Sequence, residues 1–250
     1  MPSPARDFGV QSYCFRETKT NEELAKQIRQ IGVDKTEICG VHADFTKPEA
    51  FADVVKIHRD AGVKIVSLGV QTFNNNVAEE RKWFECAKIA GAKYISAHFG
   101  ITAHREAVPA AAKLAEEYDM KVAIHCHGGY LFGGSEDELQ YLLDLGGPRI
   151  GVNIDTAWCM QLGPHHGKPV EWAKRYAGRT YGIHYKDFVF AKNAMWTDVV
   201  VGTGNLDLPA FVKALEDNGF AGFAVIEYEA DPENPVPALT ECVQKMRAIG

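Results

Sequence analysis

Three short apolar runs in the second half of the chain decide the fold: KVAIHC at 121–126, IGVNID at 150–155 and TYGIHY at 180–185. Each has the length of a buried β-strand, and most are bounded by Gly, Lys or a turn signal. Similar runs flank them, namely FGVQSYC (8–14), TEICG (36–40), KIVSLGV (64–70), KYISAH (93–98) and FAVIEY (223–228). Apart from a longer interval before the last one, the runs start about 28 to 30 residues apart. The pattern predicts eight regularly spaced strands.

Helix signals fill the intervals between these runs. Thr20-x-x-Glu23 and Ser135-x-x-Glu138 have the spacing of capping boxes. Prolines near helix starts and glycines after helix ends complete the pattern: Pro48, Pro209, Gly32, Gly62, Gly91 and Gly219. Eight strand–helix units in 250 residues predict an α/β fold, a closed (β/α)8 TIM barrel forming a single domain over residues 1–250. An open sheet of eight strands would leave two edges to cover.

Composition and charge exclude several classes of function. The formal net charge is −6 and there is no basic run, so a nucleic-acid partner is not expected. No apolar run approaches the ~20 residues of a membrane helix, and the N-terminal MPSPARDF has no targeting features, so a cytoplasmic protein without membrane contact is expected. The six cysteines lack CxxC spacing and are predicted to be reduced.

Polar residues occupy the inward-facing positions of the later strands. Side chains in a parallel barrel alternate between the helix layer and the interior. The helix-facing set of the sixth and seventh strands is then apolar: Ile150, Val152, Ile154, Tyr181, Ile183 and Tyr185. The inward positions near the C-terminal strand ends are polar: His98, His125, His127, Asp155, His184, Lys186 and Glu227. Because barrel active sites lie at that end, these side chains predict the functional site.

Four of these side chains form a predicted metal site. His125, Asp155, His184 and Glu227 offer only nitrogen and oxygen donors, which suit one divalent ion, with manganese preferred and cobalt, magnesium, zinc or iron as alternatives. The other interpretation is a metal-free polar site in which the acids pair with Lys186. The remaining histidines are predicted to be surface residues, with the strand-adjacent His42 the first exception: His42, His58, His104, His165 and His166.

The chain also resembles a known family. The motifs are GVQSYCFR, KTEICG, AIHCHGG, GVNIDTAW, GIHYKD and VGTGNLDLPAFVKALEDNGFAGFAVIEYE. They are similar to those of the sugar phosphate isomerase/epimerase family, the xylose isomerase-like barrels that include ketose 3-epimerases, inosose dehydratases and, more distantly, endonuclease IV. The resemblance covers essentially the whole chain. It implies a metal held by residues of strands five to eight, here His125, Asp155, His184 and Glu227.

Two positions depart from the family pattern. His125 stands where many epimerases have a glutamate that acts as ligand and base, so Glu227 alone remains of the usual carboxylate pair. A second base would be Lys186, His127 or His98. Lys186 is favoured because burial beside a metal would lower its pKa; a salt bridge to Asp187 or Glu229 is its structural alternative. Trp158 stands where Asp-x-x-His would place a further ligand, which argues against a nuclease.

Three functions follow from these features. The first is a metal-dependent isomerase or epimerase acting on a sugar or polyol ketone through an enediolate, with Glu227, Lys186 and His127 catalytic and with His98, Trp158 and Lys186 contacting substrate. The second is a lyase, either a dehydratase or a β-eliminating deglycosidase. The third is a sugar- or metal-binding subunit that has lost catalysis.

Further features concern the surroundings of the site. Four aromatic residues are candidates for an apolar wall against the substrate: Tyr13, Phe73, Trp158 and Trp196. The long segment 188–206 is a candidate lid or interface. Barrels of this kind often pair, so a homo-oligomer or a partner subunit is left open.

Overall fold

Eight parallel strands close into a barrel in the computed structural model, which describes residues 3–127 and 133–249. The strands in chain order are β1 Gly9–Gln11, β2 Lys35–Ile38, β3 Lys64–Phe73, β4 Tyr94–Phe99, β5 Lys121–His125, β6 Ile150–Asp155, β7 Thr180–Tyr185, β8 Asp187–Phe190, β9 Trp196–Val199 and β10 Phe223–Ile226. The barrel runs from β1 through β7 in sequence, and β10 closes it by pairing with both β7 and β1. The predicted barrel is confirmed. The end of the AIHCHGG motif, Gly128 and Gly129, lies outside the described residues.

Helices follow the strands. They are α1 Asn21–Gln30, α2 Pro48–Asp60, α3 Val77–Ala90, α4 His104–Glu117, α5 Glu136–Gly146, α6 Thr156–Met160, α7 Pro169–Arg175, α8 Leu208–Asp217 and α9 Val236–Arg247. Short 3-10 turns span Ser12–Phe15 and Gly147–Arg149. The Ser135 side chain and Glu138 form the predicted capping box at α5. Gly91 ends α3 with φ of 69°, a conformation that favours glycine. No helix in the described part of the chain is both long and apolar enough to cross a membrane.

Within the described ranges, the buried apolar residues form two clusters. Ile154, Ile183 and Tyr185 belong to the large core that includes the helices, as predicted. Tyr181, predicted to face the helices too, instead packs in a small separate cluster with Ala123, Phe223 and Val225. The reason is local to β6: a Cβ atom on Gly151 would lie 2.3 Å from the Tyr181 ring, so the glycine leaves the space that the ring fills. The β6–β7 pairing also shifts register between Val152 and Asn153.

Strand register brings the polar side chains to one level of the barrel. Asp155 pairs with His184, and His125 pairs with Asn153. The Asn153 side chain is fully buried and donates to the Ser96 hydroxyl at 2.8 Å. The carboxyl ends of β5, β6 and β7 therefore carry their polar side chains above an apolar and hydrogen-bonded floor.

The segment after β7 is a hairpin. Strands β8 and β9 pair antiparallel, from Asp187 opposite Val199 to Phe190 opposite Trp196. The buried Asp187 carboxylate fastens the hairpin by accepting the backbone N–H groups of residues 202, 204 and 206. Because this hairpin leaves directly from the end of β7, its side chains reach the polar end of the barrel.

Candidate metal centre

Four buried side chains from consecutive barrel strands converge at the carboxyl end of the barrel. One donor atom from each of His125, Asp155, His184 and Glu227 lies within 4.8 Å of the other three. These are the four residues predicted from strand alternation. The group could hold a metal ion. The hydrogen bonds and the charge of each side chain decide whether its ligand atom is available to that ion.

Asp155 has one oxygen committed and one unpartnered. Its Oδ1 accepts the backbone N–H groups of Ala157 at 3.0 Å and Trp158 at 2.9 Å, which caps the N-terminus of α6. Its Oδ2 is buried without a hydrogen-bond partner. Burial raises the pKa of Asp155 to about 7, with the charge of Glu227 adding to the effect and that of Lys186 opposing it.

His125 also ends in an unpartnered atom. Its Nδ1 lies 3.0 Å from Nε2 of His98, whereas its Nε2 is buried without a partner, 3.4 Å from Oδ2 of Asp155. Burial and the nearby His184 lower the pKa of His125, and burial and His125 lower that of His98 to about 2. Since His125 is neutral, its contact with Asp155 is not an ion pair. Two buried atoms without hydrogen-bond partners, His125 Nε2 and Asp155 Oδ2, therefore face each other. A divalent ion between them would satisfy both, so these residues fit a metal.

His184 lies between two carboxylates. Its Nδ1 is 3.0 Å from Oε2 of Glu227 and its Nε2 is 2.9 Å from Oε1 of Glu37. Burial opposes the charged ring, but Glu227 and Glu37 outweigh it and raise the pKa of His184 to about 10. Burial would likewise raise the pKa of Glu227, but Lys186 and His184 lower it well below its usual range. Glu227 is therefore ionised.

Lys186 is buried among acids. Its ammonium pairs with Glu229 and lies 3.7 Å from both Glu227 and Asp198. Burial opposes its charge, but these carboxylates raise its pKa above the usual range, so the expected lowering is wrong for this arrangement. The predicted alternative, a salt bridge to Asp187 or Glu229, is present with Glu229, whereas the Asp187 carboxylate binds backbone N–H groups.

Aromatic residues border the cluster. The His127 ring stacks on Trp158 with centroids 3.9 Å apart, and its centroid lies 5.6 Å from that of His125. Trp158 meets Trp196 of the hairpin edge to face at 5.4 Å. Trp196 is 37% exposed. Phe73, predicted as part of this wall, is instead buried in the large core against Trp83.

The other histidines lie outside the cluster, but two of them are not surface residues. His42, named as the first exception, is buried, and His58 is buried against the prediction. His42 bonds through Nε2 with the Phe15 carbonyl at 3.1 Å, and His58 bonds through Nδ1 with the Val54 carbonyl at 3.0 Å. A backbone carbonyl satisfies each ring, so burial is tolerated. His165 and His166 are exposed as expected.

Two acids of the site were missed by sequence reasoning. Glu37 contacts His184, and Asp198 approaches Lys186 from the hairpin. Glu37 had a signal, since it is a charged residue inside the apolar run TEICG and alternates with Ile38, which faces the large core. Asp198 had none, because its position depends on how the hairpin folds back. Burial raises the pKa of Asp198 to about 6.

Comparison with known proteins identifies related chains. A family model described as xylose isomerase-like TIM barrel matches residues 25–249. The rhizopine catabolism protein MocC of Rhizobium meliloti is 26% identical over 140 residues, which are 50% of this chain and 42% of that protein. The match thus spans less than half of that relative.

Solved structures share the fold. The D-allulose 3-epimerase of Methylomonas sp. is 14% identical, with 100% of both chains covered and a TM-score of 0.75. The IolI protein, solved with a zinc atom, is 16% identical, with 96% of both chains covered and a TM-score of 0.78. At these identities the likeness establishes the barrel and nothing about the reaction.

Proposed function

Since this chain belongs to the xylose isomerase-like TIM barrel family, we propose that it is a divalent-metal-dependent isomerase or epimerase of a sugar or polyol ketone. The observation that carries the proposal is the buried cluster of His125, Asp155, His184 and Glu227, in which His125 Nε2 and Asp155 Oδ2 have no partner. Two solved structures of the same fold, a D-allulose 3-epimerase and a protein that holds a zinc atom, are in keeping with it.

These four residues would hold the ion. When bound, a divalent ion supplies Lewis-acid stabilisation of the negative charge that develops on substrate oxygens. Manganese is our first choice, because two imidazoles and two carboxylates make a donor set of mixed hardness, and zinc, cobalt, iron and magnesium are the alternatives.

Glu227 and Lys186 would move the proton. Glu227 is ionised, so it can take a proton from the carbon next to the substrate carbonyl, which leaves an enediolate. The Lys186 ammonium can then return a proton to the enediolate from the same side as Glu227, whereas delivery to the opposite face would need another acid. The two groups are 3.7 Å apart, so the proton on Glu227 can pass to Lys186 and restore both for the next turnover. His127 and His98 border the site and are the other groups that could serve as the second acid.

The substrate would lie between the metal centre and the aromatic border. Trp158 presents an apolar surface beside His127, and apolar faces of this kind suit the C–H face of a sugar ring or polyol. His98, half-buried next to His125, would contact a substrate oxygen. Lys186 would share that role on the opposite side of the cluster.

A lyase is the second candidate function. The resemblance to ketose epimerases implies a pair of carboxylates for proton transfer, and His125 stands at the position of one of them. The Lys186 ammonium, which Glu229 holds in the site, is the group that would protonate a leaving hydroxyl or glycosidic oxygen. Such a dehydratase or deglycosidase would form the same enediolate and then expel a β-substituent.

The test is proton exchange with solvent. We would measure metal content in protein purified without chelators, then incubate ketoses and inososes with it in deuterated water. Deuterium at the carbon next to the carbonyl in a product of unchanged skeleton is the expected result. Loss of water or of an aglycone would assign the lyase. Tight binding of metal and polyol without any exchange would overturn catalysis and leave a binding subunit. Metal-stripped protein is the control.

His125→Glu is expected to retain metal but to change metal preference. A carboxylate oxygen replaces a borderline nitrogen donor and adds negative charge, so magnesium and manganese should gain relative to zinc. Competition between zinc and manganese for each protein measures this preference. His104→Glu, the same change outside the cluster, is the control. If His125→Glu leaves the preference unaltered, His125 is not a ligand, and His127 becomes the histidine to test.

A further inference from the structure

Glu37 is a fully buried carboxylate at the end of β2, and it lies behind His184 as seen from the metal cluster. Its Oε1 accepts from His184 Nε2 at 2.9 Å and from the Gln11 side-chain amide at 2.6 Å. Its Oε2 is buried without a hydrogen-bond partner. Glu37 is not part of the group of donor atoms that lie within 4.8 Å of one another. A buried carboxylate is costly, so its contact with His184 calls for a function.

We infer that Glu37 is a positioning residue, which holds the proton of His184 on Nε2 and thereby presents Nδ1 to the metal. The inference rests on the proposed metal centre and extends it to a residue outside the ligand set. The Nδ1 atom of His184 faces Glu227, which belongs to the donor cluster, whereas Nε2 faces Glu37, which lies outside it. An ion held in the cluster would therefore take the place of a proton on Nδ1. The proton on Nε2 would remain, because its acceptor Glu37 is not a ligand.

The surroundings hold Glu37 in this place. Gln11 lies on the neighbouring strand β1, its amide also donates to the Gly69 carbonyl at 3.4 Å, and its own side-chain oxygen accepts from Tyr13 N–H. Gly69 lies close on the other side, where a Cβ atom would come within 3.0 Å of Glu37 Oε1. The carboxylate thus has a single partner within the cluster, the His184 ring. Partners of this kind, behind a metal ligand, typically change metal affinity by about 10- to 100-fold.

The two histidines of the cluster are supported differently. His125 has a neutral imidazole, His98, against its Nδ1, whereas His184 has a carboxylate against its Nε2. A carboxylate makes a stronger, charge-assisted hydrogen bond and raises the basicity of the ring more than a neutral acceptor does. Removing Glu37 is therefore expected to weaken metal binding through His184 alone.

The experiment compares Glu37→Leu, Glu37→Gln and Glu80→Leu with the unmodified chain. Zinc is the probe, since it is diamagnetic and allows NMR. Zinc affinity is measured by competition with a chromophoric chelator, and the His184 tautomer by long-range ¹H–¹⁵N correlation of the zinc-loaded protein. His184→Ala assigns the signals. Glu80 is a matched control: it is also a buried glutamate, but its carboxylate accepts the backbone N–H groups of Asn74 and Asn76.

The expected result for Glu37→Leu is a zinc Kd about 10- to 100-fold higher, with loss of the downfield Nε2–H signal of His184. Glu37→Gln keeps an acceptor oxygen but loses the charge, so it should give an intermediate Kd and shift that signal upfield. Glu80→Leu should leave both unchanged.

Two outcomes would overturn the inference and one would overturn the proposed function instead. If the unmodified chain binds zinc and Glu37→Leu binds it equally well, Glu37 does not position His184. An unchanged His184 signal in Glu37→Gln would also show that Glu37 does not position His184. This measurement decides the inference if Glu37→Leu does not fold. Failure of the unmodified chain to bind zinc, manganese or any other divalent ion is distinct, because it removes the metal centre itself.

Discussion

Asp155→Asn is expected to lower the metal content from about one ion per chain to near zero and to abolish turnover. The asparagine oxygen can still accept the N–H groups of Ala157 and Trp158 that cap α6, so the local backbone is preserved. In the unmodified chain Oδ2 has no hydrogen-bond partner. In the variant its position would hold an amide NH₂ group, which donates hydrogen bonds and does not ligate metals. The substitution thus removes one ligand and its charge and little else.

Metal content after dialysis, together with circular dichroism, measures this effect. Asp187→Asn is the matched control, because Asp187 is a buried aspartate on the same end of the barrel whose oxygens bind only backbone N–H groups. That control should lose stability but keep its metal. Full metal retention in Asp155→Asn would contradict the ligand assignment, and His184→Ala would then be expected to retain metal as well.

Lys186→Met is expected to cut turnover by about 100-fold or more while the metal content stays unchanged. The methionine side chain fills a similar volume but cannot give or take a proton. The pH dependence of turnover should also lose one limb, because one of two titrating groups has been removed. The remaining limb would belong to Glu227.

The same variant is expected to lose stability in a pH-dependent way. Three carboxylates would lose a cation that now lies within 4 Å of each: Glu227, Glu229 and Asp198. Removing one partner of a buried ion pair costs about 3 to 5 kcal/mol. Burial already raises the pKa of Asp198 to about 6, and without Lys186 it rises further. An acid whose pKa is higher in the folded state loses stability as the pH rises through that value. The deficit should therefore be larger near about pH 8 than near about pH 5.

Urea unfolding of the metal-free proteins at both pH values measures this deficit, and steady-state kinetics measure turnover. Lys213→Met is the control, since Lys213 forms an exposed i,i+4 ion pair with Asp217 on α8 and is not buried among acids as Lys186 is. Retained turnover with an unaltered pH profile would transfer proton donation to His127 or His98. A deficit that does not depend on pH would mean that the acids find other partners.

Local rules of the chain were sufficient to predict much of the barrel. The run IGVNID alternates so that Val152 and Ile154 enter the large core while Asp155 joins the polar cluster, and the same rule placed His125, His184 and Glu227. The rule failed at Tyr181, where the neighbouring strand has a glycine. Alternation describes which side a residue faces in a regular strand, and it contains no information about empty space on the next strand.

The sequence by itself determined the order of strands and helices along the chain, the closed barrel and the four side chains at its carboxyl end. Strand period, turn signals and helix caps act over a few residues, so each can be recognised locally. Only the tertiary structure decided which groups surround those four. Glu37 reaches His184 from 147 positions away in the chain, and Asp198 reaches Lys186 because a hairpin folds back over β7. Their effects on pKa and on ring orientation depend on distance and burial, and both arise only when strands remote in sequence close into one barrel.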